Sequence, residues 1–381
     1  MRIGFIGPFA KMNNANYASE RQVGAIEHQI FGLAKELSLL GHELYITRNW
    51  KGKNKEDFIE GIHFLNINCF NSIEQGFNDS KFPLNHLSHA YYVARAPKLI
   101  ANMDLDVINV SRVFSGWFAL EHIRSHRSHS VFITHDNDIY VTAGLGHSRL
   151  PYWPRKTLRA INKRYDATVA VTKGIKEYFT SIGLSCHAII PEAIDPNEYK
   201  CLDEEGFILT AERLVPHKRV EDLIQAYSEI SDDIEEDLVI IGSGPCEKPL
   251  RRYAASLNLK ERIRFIPFLP KSKYRDYLSK CSIFVLPSVA EAFGVVIIEA
   301  MASGKPVIAR NIIGPRDIIT NRHDGFLFEN VDELEKYLQL LLSDEVLRKK
   351  LGKNARKTVE EKYTFDKIAR QYLILYESLI N

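Results

Sequence analysis

Short apolar runs alternate with longer segments of helical periodicity along almost the whole chain. A short apolar run bounded by turn residues is typical of a buried strand, and alternation with helices is typical of parallel sheets built from βαβ units. In the first half, strands are predicted at residues 2–7, 42–47, 62–67, 106–111, 130–135, 168–172 and 186–191. In the second half, they are predicted at residues 206–212, 237–242, 262–266, 282–287, 306–310 and 325–328. The pattern therefore predicts an α/β protein with two doubly wound parallel sheets in series.

The break between the two predicted sheets falls in the segment 191–206, which is rich in turn residues and lacks periodicity. A chain of 381 residues exceeds one ordinary core and suits two domains of roughly 190 residues each. We predict Rossmann-like domains over residues 1–195 and 196–363. A final helix, over 364–381, carries an apolar stripe that can pack on either domain. Because ligands of such sheets bind at the C-terminal strand ends, we expect the active site in a cleft between the domains.

Composition excludes several classes of protein. The 50 basic and 48 acidic residues nearly balance, so overall charge does not favour a nucleic-acid partner. Five cysteines are dispersed without a Cys-x-x-Cys spacing, which predicts reduced thiols in the cytoplasm and no zinc site. The chain enters a strand without the apolar region of a signal peptide, and no apolar run reaches the ~20 residues of a membrane span. We expect a soluble protein or, at most, a peripheral one.

Two glutamates flank a glycine at the start of a nearly all-apolar helix in the second half. Glu291 and Glu299 lie eight residues apart, around Gly294, between two predicted strands. Glu299 falls inside the apolar helix that begins near Val295, and burying an unpaired carboxylate costs several kcal/mol. We therefore expect Glu299 to have a dedicated partner, which we predict to be a ligand.

A basic loop follows the first strand of the second predicted domain. Arg213 and Lys218 lie five residues apart across a turn that precedes a helix, so both cations can converge on one anion. The alternative is a surface basic loop, which the position at a strand end makes less favourable. Gly242 ends the next strand and permits close approach to the backbone, although alone it indicates only a turn. We predict a diphosphate site in this region.

Two candidate residues lie in the first domain. Gly24, at the start of the helix after the first strand, either packs closely or lets an anion approach free backbone N–H groups. His135, at the C-terminal end of the fifth strand, either contacts a substrate hydroxyl or lies beside aspartates that cap the next helix. We favour the substrate contact for His135 and leave both interpretations of Gly24 open.

Two further patterns each have a structural alternative. The pairs Asp104 with Asp106 and Asp136 with Asp138 have a spacing that can hold a divalent metal, but both flank strands and we favour capping. Residues 149–165 combine six basic side chains with aromatic residues. Such a segment either lies on an anionic membrane surface or forms the solvated face of a helix.

The second domain thus groups two cations, several glycines and two carboxylates at C-terminal strand ends. A nucleoside diphosphate linked to a sugar needs these groups, because cations bind phosphates and carboxylates accept hydrogen bonds from vicinal hydroxyls. Two cations and helix N-termini can neutralise a leaving diphosphate, so no metal is required. The residues therefore predict a nucleotide-sugar site.

The same residues resemble a known family. The GT-B glycosyltransferases of family GT4 have a motif of two glutamates separated by seven residues. The segment from Glu291 to Glu299 is similar to this motif. Arg213 and Lys218 fall where that family keeps its diphosphate-binding pair. The segment 23–28, Val-Gly-Ala-Ile-Glu-His, resembles the family's N-terminal Gly-Gly-x-Glu loop. The resemblance covers essentially the whole chain and implies a GT-B fold and a retaining, metal-independent transferase.

The resemblance also implies roles for the donor-site residues. Glu299 would bind the ribose hydroxyls of the nucleotide and Glu291 the hydroxyls of the donor sugar. The backbone at Phe293 and Gly294, directly before Val295, would contact the phosphate side of that sugar.

For the first domain, the resemblance implies that His135 contacts the 6-position of the sugar and that Gly24 shapes the phosphate and acceptor side of the cleft. The implied catalytic set is His135, Glu291, Arg213 and Lys218. The final helix would cross back onto the N-terminal domain, as it does in GT-B proteins.

Three positions depart from the family pattern. Ala25 replaces the second glycine of the N-terminal loop, Glu192 follows Pro191 where the family has asparagine, and Pro267 replaces a glycine near the expected base pocket. These departures put the loop conformation, the hinge and the identity of the nucleobase in doubt.

The predicted function is transfer of a hexosyl unit from a nucleoside-diphosphate sugar to a hydroxyl of a saccharide or lipid-linked acceptor, without a cofactor or metal. No nucleic-acid partner is expected, and the location is the cytoplasm or the inner face of the membrane. Two alternatives stay open. One is a GT-B sugar-nucleotide epimerase, and the other is a non-catalytic protein that binds nucleotide sugars.

Overall fold

A computed structural model describes residues 1–6, 25–49, 56–67, 91–92, 94–100, 102–111, 119, 128–134 and 158–381. Its described residues form two compact units. The chain leaves the first unit after Glu192 and returns to it at Phe365, compared with the predicted boundaries after residues 195 and 363. The final helix therefore belongs to the first unit. Each unit is built on its own sheet.

The first unit contains an eight-stranded sheet with the order β3-β4-β2-β1-β5-β6-β7-β8. Its strands are β1 Arg2–Ile6, β2 Glu43–Asn49, β3 Glu56–Ile59, β4 Ile62–Ile67, β5 Val107–Ser111, β6 His129–Thr134, β7 Ala167–Ala170 and β8 Ala188–Ile189. Its helices with defined bounds are α1 Ala25–Leu39, α2 Lys173–Ser181 and α10 Phe365–Ile380. The central strands are almost continuously apolar because helices cover both faces of such a sheet.

The strand β3 corrects the expectation of an all-parallel sheet. It pairs antiparallel with β4 through a two-residue turn, Glu60-Gly61, in which both residues have positive φ, 49° and 79°. Two successive positive φ values define the tight hairpin turn whose twist matches that of the strands. Asn-Gly and Asp-Gly are the usual sequence signals of this turn. Because Glu-Gly is not one of them, the sequence pattern did not predict the hairpin.

The second unit contains a six-stranded parallel sheet with the order β11-β10-β9-β12-β13-β14. Its strands are β9 Phe207–Ala211, β10 Asp237–Ile241, β11 Ile263–Ile266, β12 Ile283–Leu286, β13 Val307–Arg310 and β14 Gly325–Phe328. Its helices are α3 Val220–Ile230, α4 Glu247–Ser256, α5 Lys271–Lys280, α6 Val295–Ala302, α7 Pro315–Ile318, α8 Val331–Ser343 and α9 Glu345–Lys362, with 3₁₀ turns at Pro196–Glu198 and Pro216–Lys218.

The strand order places a topological switch point between β9 and β12. From β9 the chain first winds outward through β10 and β11, and it then returns to the other side of β9 to begin β12. The connections after β9 and β12 therefore diverge to opposite faces of the sheet, which leaves a crevice at their C-terminal ends. Glu212 directly follows β9 at this edge, and Ser288 lies just beyond the end of β12.

The helix α10 packs on α1 through an aromatic ring seated on a glycine. The ring of Phe365 lies against Gly32, where an added Cβ would overlap it, and edge-on to the ring of His28 with centroids 5.9 Å apart. Further along α10, the hydroxyl of Tyr376 donates to Oδ1 of buried Asn109 on β5, at 2.9 Å. Together these contacts anchor the C-terminus of the chain to the first sheet. None of the helices in the described ranges is long and apolar enough to cross a membrane.

We predict that Gly32→Ala destabilises the first unit by about 1–3 kcal/mol, because the new methyl group overpacks the seat of Phe365. Urea unfolding followed by circular dichroism measures the change. The double variant Gly32→Ala/Phe365→Leu should recover part of the loss, since the smaller side chain leaves room for the methyl group. Equal stability of Gly32→Ala and the unchanged protein would contradict the packing described here.

Candidate functional site

The C-terminal ends of β9 and β12 bring an ammonium group between two carboxylates. The Nζ of Lys218 forms an ion pair with Oε1 of Glu291 and lies 3.6 Å from Oε2 of Glu212. Lys218 ends a 3₁₀ turn after β9, and the carbonyl of His217 in that turn accepts from the backbone N–H of Val289 at 2.9 Å. That hydrogen bond joins the two loops of the switch point, so the pairing of Lys218 with Glu291 follows from the strand order.

Glu212 is the most deeply buried member of this cluster, with 2% of its side chain exposed. Its Oε2 accepts from the hydroxyl of Ser288 at 2.9 Å and its Oε1 from the hydroxyl of Thr210 at 3.3 Å. Burial raises its pKa to about 7, and nearby Glu291 acts in the same direction, while Lys218 and the two hydroxyls partly offset the rise. Glu212 is therefore a carboxyl group whose charge can change near neutral pH.

Lys218 stays a cation in this setting. Burial alone lowers its pKa, but the charges of Glu291 and Glu212 outweigh that effect and raise the pKa above its ordinary value. The ammonium of this partly buried side chain is strongly held, because losing it would leave two buried carboxylates without a compensating charge.

Arg213 differs from Lys218 in its surroundings. Its side chain is exposed and forms no ion pair with a residue in the described part of the chain. The two cations predicted to converge on one anion therefore differ in their surroundings. Lys218 is paired with two carboxylates, whereas the side chain of Arg213 is exposed to solvent. Only Arg213 is ready to meet an anion without giving up a described partner.

Glycines allow the backbone to come close around the cluster. Gly242, with φ of 151°, directly follows β10, and a Cβ there would overlap the carbonyl oxygen of Glu212. Gly314 has φ of 89°, and its Cβ would lie 2.6 Å from the carbonyl oxygen of Phe293 and 3.0 Å from that of Glu291. The predicted role of Gly242 in ligand approach stays a prediction, because its observed function is to admit the backbone of Glu212.

The loop from Glu291 leads into the N-terminus of α6. Gly294 precedes the helix in the left-handed region, φ 103° and ψ 62°, and no side chain caps the first turn, which begins at Val295. The side chain of Phe293 is buried, with its ring edge-on to that of Tyr363 at 5.8 Å. The side chain of Phe293 therefore belongs to the core, and the backbone contact with a ligand that the family resemblance implies for it stays a prediction.

Glu299, one turn into α6, has its partners within the protein. The hydroxyl of Tyr199 donates to Oε1 at 2.9 Å, and that of Tyr274 donates to Oε2 at 3.0 Å. Burial and the charge of Glu299 raise the pKa of both tyrosines well above the ordinary value, so both are donors. We expected a ligand to be the dedicated partner of Glu299, and the structure corrects this. Each carboxylate oxygen keeps a further lone pair that a ligand hydroxyl can use.

Tyr199 is itself held in place. Its backbone carbonyl accepts from Nη1 of Arg356 at 3.0 Å, and the guanidinium of Arg275 lies 5.0 Å above its ring. Arg275 also pairs with Glu198. The carboxylate of Glu299 is therefore oriented by a buried, hydrogen-bonded surround, as a binding site for a polar ligand requires.

Several sequence-based predictions fall outside the described residues. They include His135 and Gly24, the pair Asp136 and Asp138, and residues 149–157 of the basic segment. In the rest of that segment, Leu158, Ile161 and Tyr165 are buried and the basic residues are exposed, as expected for the solvated face of a helix.

The other Asp-x-Asp pair is structural. Oδ2 of Asp106 accepts from the backbone N–H of Arg2 at 2.8 Å, and the carbonyl of Asp104 accepts from the guanidinium of the same residue. Within the described ranges, no group of three or more histidine, cysteine, aspartate or glutamate side chains is arranged to hold a metal ion.

Sequence reasoning missed Glu212, Ser288, Tyr199 and Tyr274. Glu212 stands directly after β9 and next to Arg213, so the strand-end argument that selected the arginine applied equally to it. The tyrosines gave no such signal. Tyr199 lies 100 residues from Glu299 along the chain, and no local sequence pattern indicates the hydrogen-bond partner of its hydroxyl.

The fold has close structural counterparts. Sucrose-phosphate synthase from Thermosynechococcus elongatus superposes with a TM-score of 0.81 at 19% identity, over 99% of this chain and 98% of that protein. Anabaena HepE, crystallised with UDP and glucose, gives a TM-score of 0.74 at 17% identity, over 99% of this chain and 100% of HepE. These likenesses define the fold as GT-B.

Family models assign the chain within that fold. The model described as glycosyl transferases group 1 matches residues 193–358, and the model described as glycosyltransferase family 4 matches residues 26–198. The chain belongs to the GT-B glycosyltransferases of family GT4.

Curated relatives match a part of the chain. An uncharacterised glycosyltransferase of Methanocaldococcus jannaschii is 33% identical over 177 residues, 46% of this chain and 45% of the relative. The N-acetyl-alpha-D-glucosaminyl L-malate synthase of Bacillus anthracis is 28% identical over 186 residues, 48% of each protein. An N-acetylgalactosaminyltransferase of Campylobacter jejuni, named for an undecaprenol-linked acceptor, is 29% identical over 219 residues, 54% of this chain and 56% of the relative. The chain spans about half the length of the curated relatives it matches.

We predict that Glu212→Gln changes how stability depends on pH. The pKa of Glu212 rises from 4.5 to about 7 on folding, so its contribution to the free energy of unfolding is complete below pH 4.5 and is lost as pH rises through 7. Glutamine does not titrate. As pH rises from 4.5 to above 7, the free energy of unfolding of Glu212→Gln should therefore increase relative to that of the unchanged protein, by up to about 3 kcal/mol. Urea unfolding across the pH range measures the difference.

The control for this prediction is Glu235→Gln, which alters an exposed carboxylate of the same unit. Its stability relative to the unchanged protein should stay constant over the same pH range. Parallel curves for Glu212→Gln and Glu235→Gln would show that Glu212 is not a titrating buried group.

Proposed function

We propose that the protein is a retaining glycosyltransferase that moves a hexosyl unit from a nucleoside-diphosphate sugar to a hydroxyl of a saccharide or lipid-linked acceptor. The observation that carries this proposal is the arrangement at the switch point. A partly buried ammonium, an exposed guanidinium and an uncapped helix N-terminus follow two adjacent strands, with a preoriented carboxylate one helical turn away. Cations and a helix N-terminus suit a diphosphate, and carboxylates suit sugar hydroxyls.

The donor would lie with its nucleoside towards Glu299 and its sugar towards Glu291. The ribose hydroxyls would donate to the lone pairs of Glu299 that Tyr199 and Tyr274 leave available. The diphosphate would meet Arg213 and Lys218, and the sugar hydroxyls would donate to Glu291. This orientation places phosphates against cations and hydroxyl groups against carboxylates.

The reaction would break the bond between the anomeric carbon and the diphosphate oxygen and form a bond from that carbon to the acceptor oxygen on the same face. The acceptor proton would pass to the departing diphosphate. Lys218 and Arg213 stabilise the negative charge that develops on the leaving group, which is the largest contribution a preorganised site can make. We propose that these cations act without a metal, that His135 contacts the sugar, and that Gly24 shapes the acceptor side.

Similar proteins support the class of substrate. HepE was crystallised with UDP and glucose, and the matched Campylobacter enzyme is named for a lipid-diphosphate acceptor. A lipid-linked acceptor would place the protein at the inner face of a membrane, and an oligosaccharide acceptor would leave it in the cytoplasm.

The decisive experiment combines binding with product analysis. A thermal-shift screen with UDP-, GDP- and ADP-sugars identifies the donor, since a ligand that binds the native state raises its apparent stability. NMR of the product formed with a saccharide panel and with undecaprenyl-diphosphate sugars then gives the anomeric configuration. A product with the anomeric configuration of the donor supports the proposal, and an inverted product contradicts the retaining mechanism. Isomerisation of donor alone would indicate an epimerase, and binding without turnover would indicate a binding protein.

We predict that Arg213→Ala lowers kcat for transfer by about 100- to 1,000-fold, because it removes one cation from the leaving group. Its fold should be intact, since Arg213 is exposed and pairs with no described residue. The matched control is Arg252→Ala, which removes an exposed arginine on α4. Equal kcat values for the two variants would remove Arg213 from the proposed site.

We predict that Glu299→Gln weakens binding of the nucleotide about 10-fold or more and leaves binding of inorganic pyrophosphate unchanged, because pyrophosphate has no ribose. Hydrogen bonds to a charged acceptor contribute about 1.5–3 kcal/mol each. Calorimetric titration of both ligands into the variant measures the two affinities. Equal weakening of both would assign Glu299 to the fold or to the diphosphate, and not to the ribose.

A further inference from the structure

The cluster at the switch point contains one carboxylate more than its single ammonium can neutralise. Lys218 has two acidic partners, Glu291 and Glu212, and both are buried. With all three ionised, the cluster carries a net negative charge at the place where the proposed function brings a diphosphate. Like charges at such distances repel strongly inside a protein. Removing one negative charge from the cluster would therefore favour binding of the diphosphate.

Glu212 is the member that can lose its charge at least cost. Polar and charged groups from β9 and from the loops after β9 and β12 face its carboxylate. Thr210 on β9 and Ser288 after β12 contribute hydroxyls, Lys218 contributes the ammonium, and Glu291 contributes the second carboxylate. A protonated Glu212 remains hydrogen-bonded, since its new O–H can donate to either hydroxyl oxygen. Glu291, in contrast, is the direct ion-pair partner of Lys218 and the proposed acceptor for the sugar hydroxyls.

We propose that Glu212 is a positioning residue that holds Lys218 in the free enzyme and takes up a proton when the diphosphate of the donor binds. The proton comes from solvent and bonds to a carboxylate oxygen of Glu212, whose hold on Lys218 then weakens. The ammonium of Lys218 remains paired with Glu291 and becomes available to a phosphate oxygen. This inference depends on the proposed function, because it assigns to the same site a binding step coupled to one proton.

Two features of the structure support this step. The Oε2 of Glu212 lies 3.6 Å from Nζ of Lys218, near enough to orient the ammonium and too far for a short hydrogen bond. The carboxyl group also changes charge near neutral pH in the free protein, as its burial requires. A neighbouring phosphate would raise its pKa further, so binding would increase the protonated fraction.

Proton uptake on binding would make the affinity for the donor depend on pH. At a pH above 7, most of the free protein has an ionised Glu212, and binding has to draw a proton from solvent. Affinity for the donor should therefore fall as pH rises above 7, by up to 10-fold per pH unit for a single proton. Glutamine at this position mimics the protonated state, so Glu212→Gln should bind the donor with an affinity that no longer depends on pH in this range.

The test is calorimetric titration of a nucleotide sugar at about pH 8 in buffers of different ionisation enthalpy. A nucleotide sugar is the suitable probe because its diphosphate diester does not titrate near neutral pH, unlike a free nucleoside diphosphate. The buffer dependence of the binding enthalpy gives the number of protons taken up. We expect an uptake between zero and one for the unchanged protein and for Glu235→Gln, and none for Glu212→Gln.

The outcomes separate this inference from the proposed function. If no nucleotide sugar binds to the unchanged protein, the proposed function fails and this inference fails with it. If the donor binds without proton uptake, or if Glu212→Gln takes up as many protons as the unchanged protein, only this inference is overturned. A purely structural role for Glu212 would weaken binding of Glu212→Gln at every pH, which would also overturn it.

A second variant keeps the test valid if Glu212→Gln does not fold. Ser288→Ala removes a hydroxyl that lowers the pKa of Glu212. More of the free protein should then carry a protonated Glu212 at about pH 8, so proton uptake on binding should decrease, and the fall in affinity should begin at a higher pH. An unchanged uptake in a folded Ser288→Ala variant would contradict the proposal.

Discussion

The ammonium of Lys218, shared between two buried carboxylates, is the interaction on which the second unit's site depends. Burying Glu212 and Glu291 as anions without this ammonium would be costly, because a buried charge needs a compensating partner. The three groups come from two connections that the sheet order makes neighbours. A change in the order of β9 and β12 would separate these charges, so topology and electrostatics support each other at this edge.

Close backbone approach makes the arrangement possible. The carbonyl of Glu212 lies so close to Gly242, and that of Phe293 so close to Gly314, that a Cβ at either glycine would overlap it. The backbone that carries these carboxylates is thus in close contact with neighbouring loops. A site held in this way presents its charges in a fixed geometry, which is what electrostatic stabilisation of a leaving group needs.

Most of the sheet could be predicted because apolar runs of four to six residues have few other uses in an α/β chain. The hairpin of β3 could not, because its turn has a glutamate where a small polar residue is the usual signal. For the site, strand-end position selected Arg213, Lys218 and Glu291 from one sequence. It could not supply the tyrosine partners of Glu299, since a hydrogen bond between residues 100 positions apart depends on packing that no local pattern encodes.

The two ends of the candidate site differ in their electrostatic state. At Glu299, two tyrosine hydroxyls donate to the carboxylate and orient it before any ligand arrives. At Lys218, the charges do not balance, and the cluster reaches balance only by losing a negative charge. A ligand with hydroxyls at one end and a diphosphate at the other would therefore meet a preformed contact first and a charge-adjusting contact second. The preformed end favours recognition, and the unbalanced end makes tight binding of the diphosphate conditional on the uptake of a proton.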